Sequence, residues 1–248
     1  MEAESLQVRG APVAVRRRGT GPALVYLHDE FVEHDTPLLD LLREGFEVTA
    51  PDLPGFGDSP RPEWVDDVDD MAYHLADLLE TLGGSTRSPL PLAGAGLGGW
   101  LALETAVRSP ELIAKLVLIG APGPDLDGHA PADHFVLAPE ERTSLLVADP
   151  SCYPDVDTDR RIRAEIMTGR LVWQPRYRSP KLARRLHRVR VPTLVVWGER
   201  DAFLPAAYGA ALASALPEAR LEVVEGAGHL PGLERPERTR ELITAFLR

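Results

Sequence analysis

The chain has 248 residues, 44% of them hydrophobic, which suits one domain with a substantial core. Its formal net charge of −11 argues against nucleic acid or an anionic membrane as a partner. A single cysteine (Cys152), an acidic start without the features of a signal peptide (Met1-Glu2-Ala3-Glu4-Ser5) and no apolar run near the ~18 residues that span a bilayer predict a soluble, cytoplasmic protein.

Apolar runs bounded by glycine and proline alternate with amphipathic stretches, which predicts an α/β sheet. Leu6 to Arg9 and Val13 to Arg17, separated by Gly10-Ala11-Pro12, read as a hairpin. Ala23 to Leu27 reads as a buried strand ending at His28-Asp29-Glu30, and Phe46 to Ala50 as a second leading into Pro51 to Ser59. From Val65 to Leu82 the apolar positions Val65, Val68, Met71, Ala72, Leu75, Leu78 and Leu79 have helical spacing. Leu90 to Trp100 reads as a short strand, a tight glycine turn and the start of a helix that runs to about Arg108, with a strand following at Leu116 to Ile119. Residues 123–190 break the alternation: they are rich in proline and charge, helix-like at Pro139 to Val147 and Asp157 to Trp173, and without a strong strand. Strands at Thr193 to Trp197 and Leu221 to Val224, then a helix from about Pro236 to Leu247, complete the chain, with no internal repeat or low-complexity tract.

The turn after Leu90 has the layout of a nucleophile elbow, G-x-S-x-G, in which a sharp strand-to-helix turn lifts a serine hydroxyl above a sheet. The frame Gly94-x-Gly96-x-Gly98 is complete, but its middle residue, Gly96, has no side chain. Pro51-Asp52-Leu53-Pro54-Gly55-Phe56-Gly57-Asp58-Ser59 is similar to a D-x-x-G-x-G-x-S loop, Trp197-Gly198-Glu199-Arg200-Asp201 to a strand-end G-x-x-D, and Gly226-Ala227-Gly228-His229 to a G-x-x-H loop. In this order the motifs resemble the α/β-hydrolase fold superfamily, of the esterase, lactonase and carbon–carbon hydrolase type, over nearly the whole chain. The resemblance implies a mostly parallel sheet flanked by helices, with residues 1–122 and 191–248 as the core and 123–190 as a helical cap insertion.

It also implies that Asp201 orients His229 as an acid–base dyad, and that the backbone N–H groups of Leu97 and Glu30 form an oxyanion hole. Taken alone, Asp201 also fits the N-cap of a helix over Phe203 to Ala215, and His229 a hydrogen-bonded loop histidine; their joint spacing favours the dyad. The turn His28-Asp29-Glu30 stands where the family commonly has His-Gly, and an Asp29 or Glu30 carboxylate facing the hole would oppose a developing negative charge. The pocket is expected to include His28, Asp29, Ala95, Trp173 and Tyr177, with His129 and His134 as further candidates in its roof. Asp125 is an alternative acid. Cys152 has no local histidine to activate it, and the basic residues from Arg160 to Arg190 read as solvated faces that balance an acidic body.

The seven histidines show no metal-ligand spacing and no dinucleotide fingerprint occurs, so neither metal nor cofactor is expected. Glycine at position 96 closes the acyl-enzyme route through serine. The favoured expectation is a non-hydrolytic enzyme that uses His229 and Asp201 for proton transfer on a small carbonyl-containing organic molecule: an isomerase, epimerase, cyclase or lyase. Slow hydrolysis by a His229-activated water is a variant of this. The alternatives are a serine-deficient variant of an esterase, lactonase or carbon–carbon hydrolase, and a catalytically inactive small-molecule binder. Oligomeric state is left open.

Overall fold

The computed structural model of the chain describes residues 3–31, 36–126, 128–155, 157–174 and 176–248. The strands are β1 (Glu4–Val8), β2 (Ala11–Arg18), β3 (Ala23–Leu27), β4 (Glu47–Pro51), β5 (Leu90–Ala95), β6 (Ile113–Ile119), β7 (Gly123–Pro124), β8 (Arg178–Ser179), β9 (Thr193–Gly198) and β10 (Ala219–Val224). The helices are α1 (Pro37–Leu42), α2 (Val68–Thr81), α3 (Gly96–Arg108), α4 (Pro139–Leu146), α5 (Thr158–Val172), α6 (Pro180–Ala183), α7 (Ala206–Ala215), α8 (Pro231–Glu234) and α9 (Pro236–Leu247). Among the described residues no helix is long and apolar enough to cross a membrane.

Eight strands form one sheet in the order β1-β2-β4-β3-β5-β6-β9-β10. The hairpin β1–β2 and the pair β2–β4 are antiparallel, and every other pair in the sheet is parallel. Strands β3, β5, β6 and β9 are covered on both faces, which is why they read as continuous apolar runs rather than alternating ones. On one face Met71, Leu75 and Leu79 of α2 and Leu97, Leu101 and Leu103 of α3 pack on Val25, Leu92 and Leu116. On the other, Leu38, Leu39 and Leu42 of α1 and Leu242 and Ile243 of α9 pack on Leu24, Ala93, Val117 and Leu194. The Asp67 side chain accepts from the Asp70 N–H at 2.9 Å and so begins α2.

The D-x-x-G-x-G-x-S loop is a structural tie. Arg16 on β2 reaches Asp52 Oδ1 and Asp58 Oδ2, both at 2.7 Å, and Asp52 Oδ2 accepts from the Asp58 N–H at 2.8 Å. The Ser59 hydroxyl accepts from the Ala14 N–H and donates to the Asp52 carbonyl. Leu53 of the same loop donates to His28 Nε2 at 3.0 Å, so the loop also fixes the end of β3.

The segment 123–190 departs from its sequence reading in one respect. It contains a short parallel pair, β7–β8, with Gly123 opposite Arg178 and Pro124 opposite Ser179; two-residue strands leave no periodicity to read. The pair draws the two ends of the segment together. Leu171, Val172, Tyr177, Leu182 and Leu186 join the same apolar cluster as Trp100 and Phe203, so the segment is packed onto the core. At its rim Arg160 meets Asp58 at 3.5 Å and Arg170 meets Asp66 at 3.1 Å. The helix after Asp201 also begins later than expected, at Ala206, because Pro205 occupies its N-cap position. Residues 127, 156 and 175 of the segment, and the first two of the chain, lie outside the described residues.

Close approach sets the glycines of the elbow. A Cβ on Gly98 would lie 2.8 Å from both Cβ and O of Leu27, and nearer still to the His28 carbonyl; one on Gly94 would lie 2.5 Å from the Gly98 carbonyl. Alanine is intrinsically better than glycine in a helix by about 1 kcal/mol. Gly98→Ala is nevertheless expected to destabilise the protein by about 1–3 kcal/mol through overpacking of α3 against β3. Gly45→Ala, where a Cβ meets nothing within 4 Å, is the control and should change stability by less than about 0.5 kcal/mol; urea unfolding midpoints check both.

Candidate active site

The elbow forms where β5 stops at Ala95 and α3 starts at Gly96, with Gly96 at φ +48°. That left-handed angle is easy for glycine and strained for any other residue. The first N–H groups of α3 have no partner within the helix. The Leu97 N–H donates to Glu30 Oε2 at 2.7 Å. Thus the donor expected to stabilise an oxyanion is already engaged by the protein's own carboxylate. The sequence expectation that Leu97 and Glu30 present an open hole is corrected here: the Glu30 side chain enters it.

The same carboxylate occupies the space of the missing side chain. A Cβ built on Gly96 would lie 2.5 Å from Glu30 Oε2 and 2.8 Å from Asp29 Cβ. The Asp29 carboxylate accepts from the Phe31 N–H at 2.7 Å, which bends the turn and directs the chain at Glu30 into the elbow. Both acidic residues are buried.

Asp201 and His229 come together from the ends of β9 and β10. Asp201 Oδ2 accepts from His229 Nδ1 at 2.7 Å, and Oδ1 accepts from the Leu204 N–H at 2.8 Å. Asp201 therefore shapes its own loop and also orients the imidazole, but it does not cap a helix as expected, because α7 begins only at Ala206 with Pro205 at its N-cap position. Both side chains are wholly buried. His229 Nε2 is buried and has no hydrogen-bond partner among the described residues. Burial acts to lower the pKa of His229, but the charge and hydrogen bond of Asp201, with the charges of Glu30 and Asp29, together raise it above its ordinary value. The imidazole thus holds its proton to higher pH than a free histidine.

Around this centre sits an aromatic wall. The Phe203 and His229 ring centroids are 4.6 Å apart, and the rings of Phe31, His134 and Phe203 meet one another edge to face. Tyr177, buried and at φ +46°, places its hydroxyl 3.5 Å from His134 Nε2 and beside the Glu30 carboxylate. Burial and the charge of Glu30 push the Tyr177 hydroxyl well above its ordinary pKa, so it stays protonated. Burial, with the charges of Arg142 and His229, lowers His134 to about 4.

The other residues singled out from the sequence have varied surroundings. His28 accepts from Leu53 through Nε2, so its Nδ1 carries the proton and donates to the Asp29 carbonyl at 2.7 Å; it holds the turn rather than facing a cavity. Trp173 is half exposed, against Phe135, with the Arg176 guanidinium 4.3 Å from its ring centroid, away from the elbow. Asp125 binds Arg178 at 2.5 Å, leaving Asp201 as the partner of His229. His129 packs edge-on against Tyr208. Ala95 lies beside Gly96 in a cavity of about 20 Å³ with Asp29 and His229. A larger cavity, about 740 Å³, lies between Glu30, Phe31 and Leu233 of the core and α4, Cys152, Tyr153 and α5 of the insertion.

Glu234 was not picked out from the sequence, where one more glutamate near the start of a helix carries no signal. Its Oε2 accepts from the Gly228 N–H at 2.6 Å, and its Oε1 accepts from the N–H groups of Ala148 and Asp149 at 2.8 and 3.0 Å. It ties the histidine loop to the inserted segment.

The sequence profile described as "Alpha/beta hydrolase family" matches residues 11–242. A 2-hydroxy-6-oxononadienedioate/2-hydroxy-6-oxononatrienedioate hydrolase of Burkholderia vietnamiensis is 31% identical, covering 82% of this chain and 77% of that protein. A 2-hydroxy-6-oxo-6-phenylhexa-2,4-dienoate hydrolase of Comamonas testosteroni is 27% identical, covering 93% and 89%. Among solved structures, a 2-hydroxy-6-oxo-6-phenylhexa-2,4-dienoate hydrolase from Rhodococcus sp. strain RHA1 superposes with a TM-score of 0.80 at 23% identity, covering 99% of this chain and 98% of that one, which speaks for the fold. With the sheet order, the elbow and the match over residues 11–242 in agreement, the chain belongs to the α/β-hydrolase family.

Proposed function

We propose that this protein is an α/β-hydrolase-family enzyme that works without a serine nucleophile, moving protons on a small organic molecule through His229 oriented by Asp201. The observation that carries this reading is the Glu30 carboxylate at the elbow, on the Leu97 N–H and in the space of a residue-96 side chain. A negative group there opposes the tetrahedral oxyanion of acyl transfer. The dyad, by contrast, keeps the geometry of an acid–base pair. The segment 123–190 serves as a cap, and the substrate enters the cavity of about 740 Å³ beneath it. The relatives' names point to conjugated 2-hydroxy-6-oxo acids, in which an enol and a ketone exchange protons readily.

A second reading draws on the cavity of about 20 Å³ beside Gly96, Asp29 and His229, which is large enough for one water. There His229 would activate that water for slow hydrolysis without a covalent intermediate. Both readings are tested on 2-hydroxy-6-oxo-6-phenylhexa-2,4-dienoate in D2O. Proton transfer places deuterium on carbon and leaves the skeleton whole; hydrolysis releases benzoate and overturns the first reading. If the compound binds and nothing happens to it, the protein is a binder.

The filled elbow leads to a second expectation. Gly96→Ser alone should not hydrolyse short-chain esters, because its Cβ meets Glu30 and Asp29 and its backbone carries strain of about 1–3 kcal/mol. Combining it with Asp29→Gly and Glu30→Ala frees that space, and p-nitrophenyl acetate should then give a burst of p-nitrophenol. Equal activity of the single and triple variants would show that the acidic turn does not block the elbow.

The dyad also sets a pH dependence. Since His229 has a raised pKa in the folded protein, its pairing with Asp201 stabilises fully below the unfolded value of about 6.5 and fades as pH rises through the folded value. Asp201→Asn should therefore cost most stability in mild acid, with the gap to the parent narrowing at alkaline pH in thermal melts. A constant gap would mean that Asp201 acts through its loop hydrogen bond to Leu204 alone.

A further inference from the structure

We propose that Glu30 is the second reactive group of the site, a carboxylate base that stands at the elbow in place of serine and works opposite His229 as the acid. This rests on the serine-independent reading above. Glu30 is 4% exposed, and a buried carboxylate is costly unless its oxygens are paired. One oxygen is paired: Oε2 accepts from Leu97 at the first turn of α3, where the helix dipole favours negative charge. The other, Oε1, is buried without a hydrogen-bond partner among the described residues. His229 Nε2 is in the same state. The site thus holds one unpaired acceptor and one unpaired imidazole nitrogen, a matched base and acid.

Placement relative to the cavity supports the assignment. Glu30 is part of the wall of the large cavity, and Gly96 and His229 border the small one, which shares Thr36 and Leu233 with it. The Tyr177 hydroxyl beside the carboxylate limits where it can swing. Held at Oε2, Glu30 has the fixed geometry that a base requires.

The proposed step balances within the site. In the keto tautomer of the substrate, Glu30 Oε1 takes a proton from the CH2 carbon adjacent to a carbonyl. The C–H electron pair becomes a carbon–carbon double bond, and the carbonyl oxygen takes the Nε2 proton of His229. The intermediate is an enol, with Glu30 neutral and His229 neutral. Glu30 then returns its proton to another carbon of the conjugated system, while the enol O–H proton goes back to His229. The product is an isomer, both groups are reset, and no water or cofactor is consumed.

The test uses the full chain and 2-hydroxy-6-oxo-6-phenylhexa-2,4-dienoate in D2O, with proton NMR reading the rate of deuterium entry at carbon. Glu30→Gln keeps an oxygen for the Leu97 N–H but removes the base, and should slow exchange at least about 100-fold, with its thermal melt within a few degrees of the parent. Glu30→Ala should be equally slow and should regain exchange with added formate, a small carboxylate that fits the cavity. Wild-type exchange in Glu30→Gln together with loss in His229→Gln overturns the role of Glu30 while leaving the dyad reading intact. Faster exchange in Glu30→Ala without formate also overturns it, and makes Glu30 a plug. No exchange in the parent protein, or exchange that survives in His229→Gln, overturns the underlying reading itself.

Discussion

Two atoms cannot share one place, and at this elbow the place beside Gly96 is taken by Glu30 and Asp29. Much of the site follows from that exclusion. Glycine at 96 removes the Cβ that would collide with them, and its φ of +48° comes without strain. The freed volume lets a carboxylate reach the Leu97 N–H, which would otherwise point at an oxyanion. The turn residues fill the space that a side chain at position 96 would need. Positions 29, 30 and 96 are sterically coupled.

The electrostatics of the pocket follow from the same arrangement. Three carboxylates, from Asp201, Glu30 and Asp29, act on His229 and outweigh the effect of its burial. A serine hydrolase needs an imidazole that accepts a proton from a hydroxyl. This imidazole is biased toward holding one. Burial keeps His134 and Tyr177 uncharged at neutral pH.

Much of this was legible in the chain, for identifiable reasons. Apolar runs at Ala23–Leu27, Leu116–Ile119 and Thr193–Trp197 mark strands covered on both faces, and the spaced glycines of the elbow mark a backbone crossing that tolerates no side chain. Asp201 and His229 were legible because each ends a strand in a glycine-bounded loop. The direction of the Glu30 side chain was not, since it depends on a turn closed by Asp29 and on room created 66 residues later in the chain. His28 misled for a related reason: a histidine at a strand end looks available until the loop that takes its ring nitrogens is in place. Trp173 was picked out for its aromatic ring, but its neighbours Phe135 and Arg176 hold it at the surface.

Glu234 joins the histidine loop to the inserted segment. One oxygen holds the backbone just before His229, and the other holds the backbone just after α4. A carboxylate shared in this way acts as a rigid strut, because neither end can shift without lengthening a hydrogen bond. The segment after α4 and the loop before His229 are therefore tied at one residue. A displacement of α4 would act, through Glu234, on the loop that carries His229.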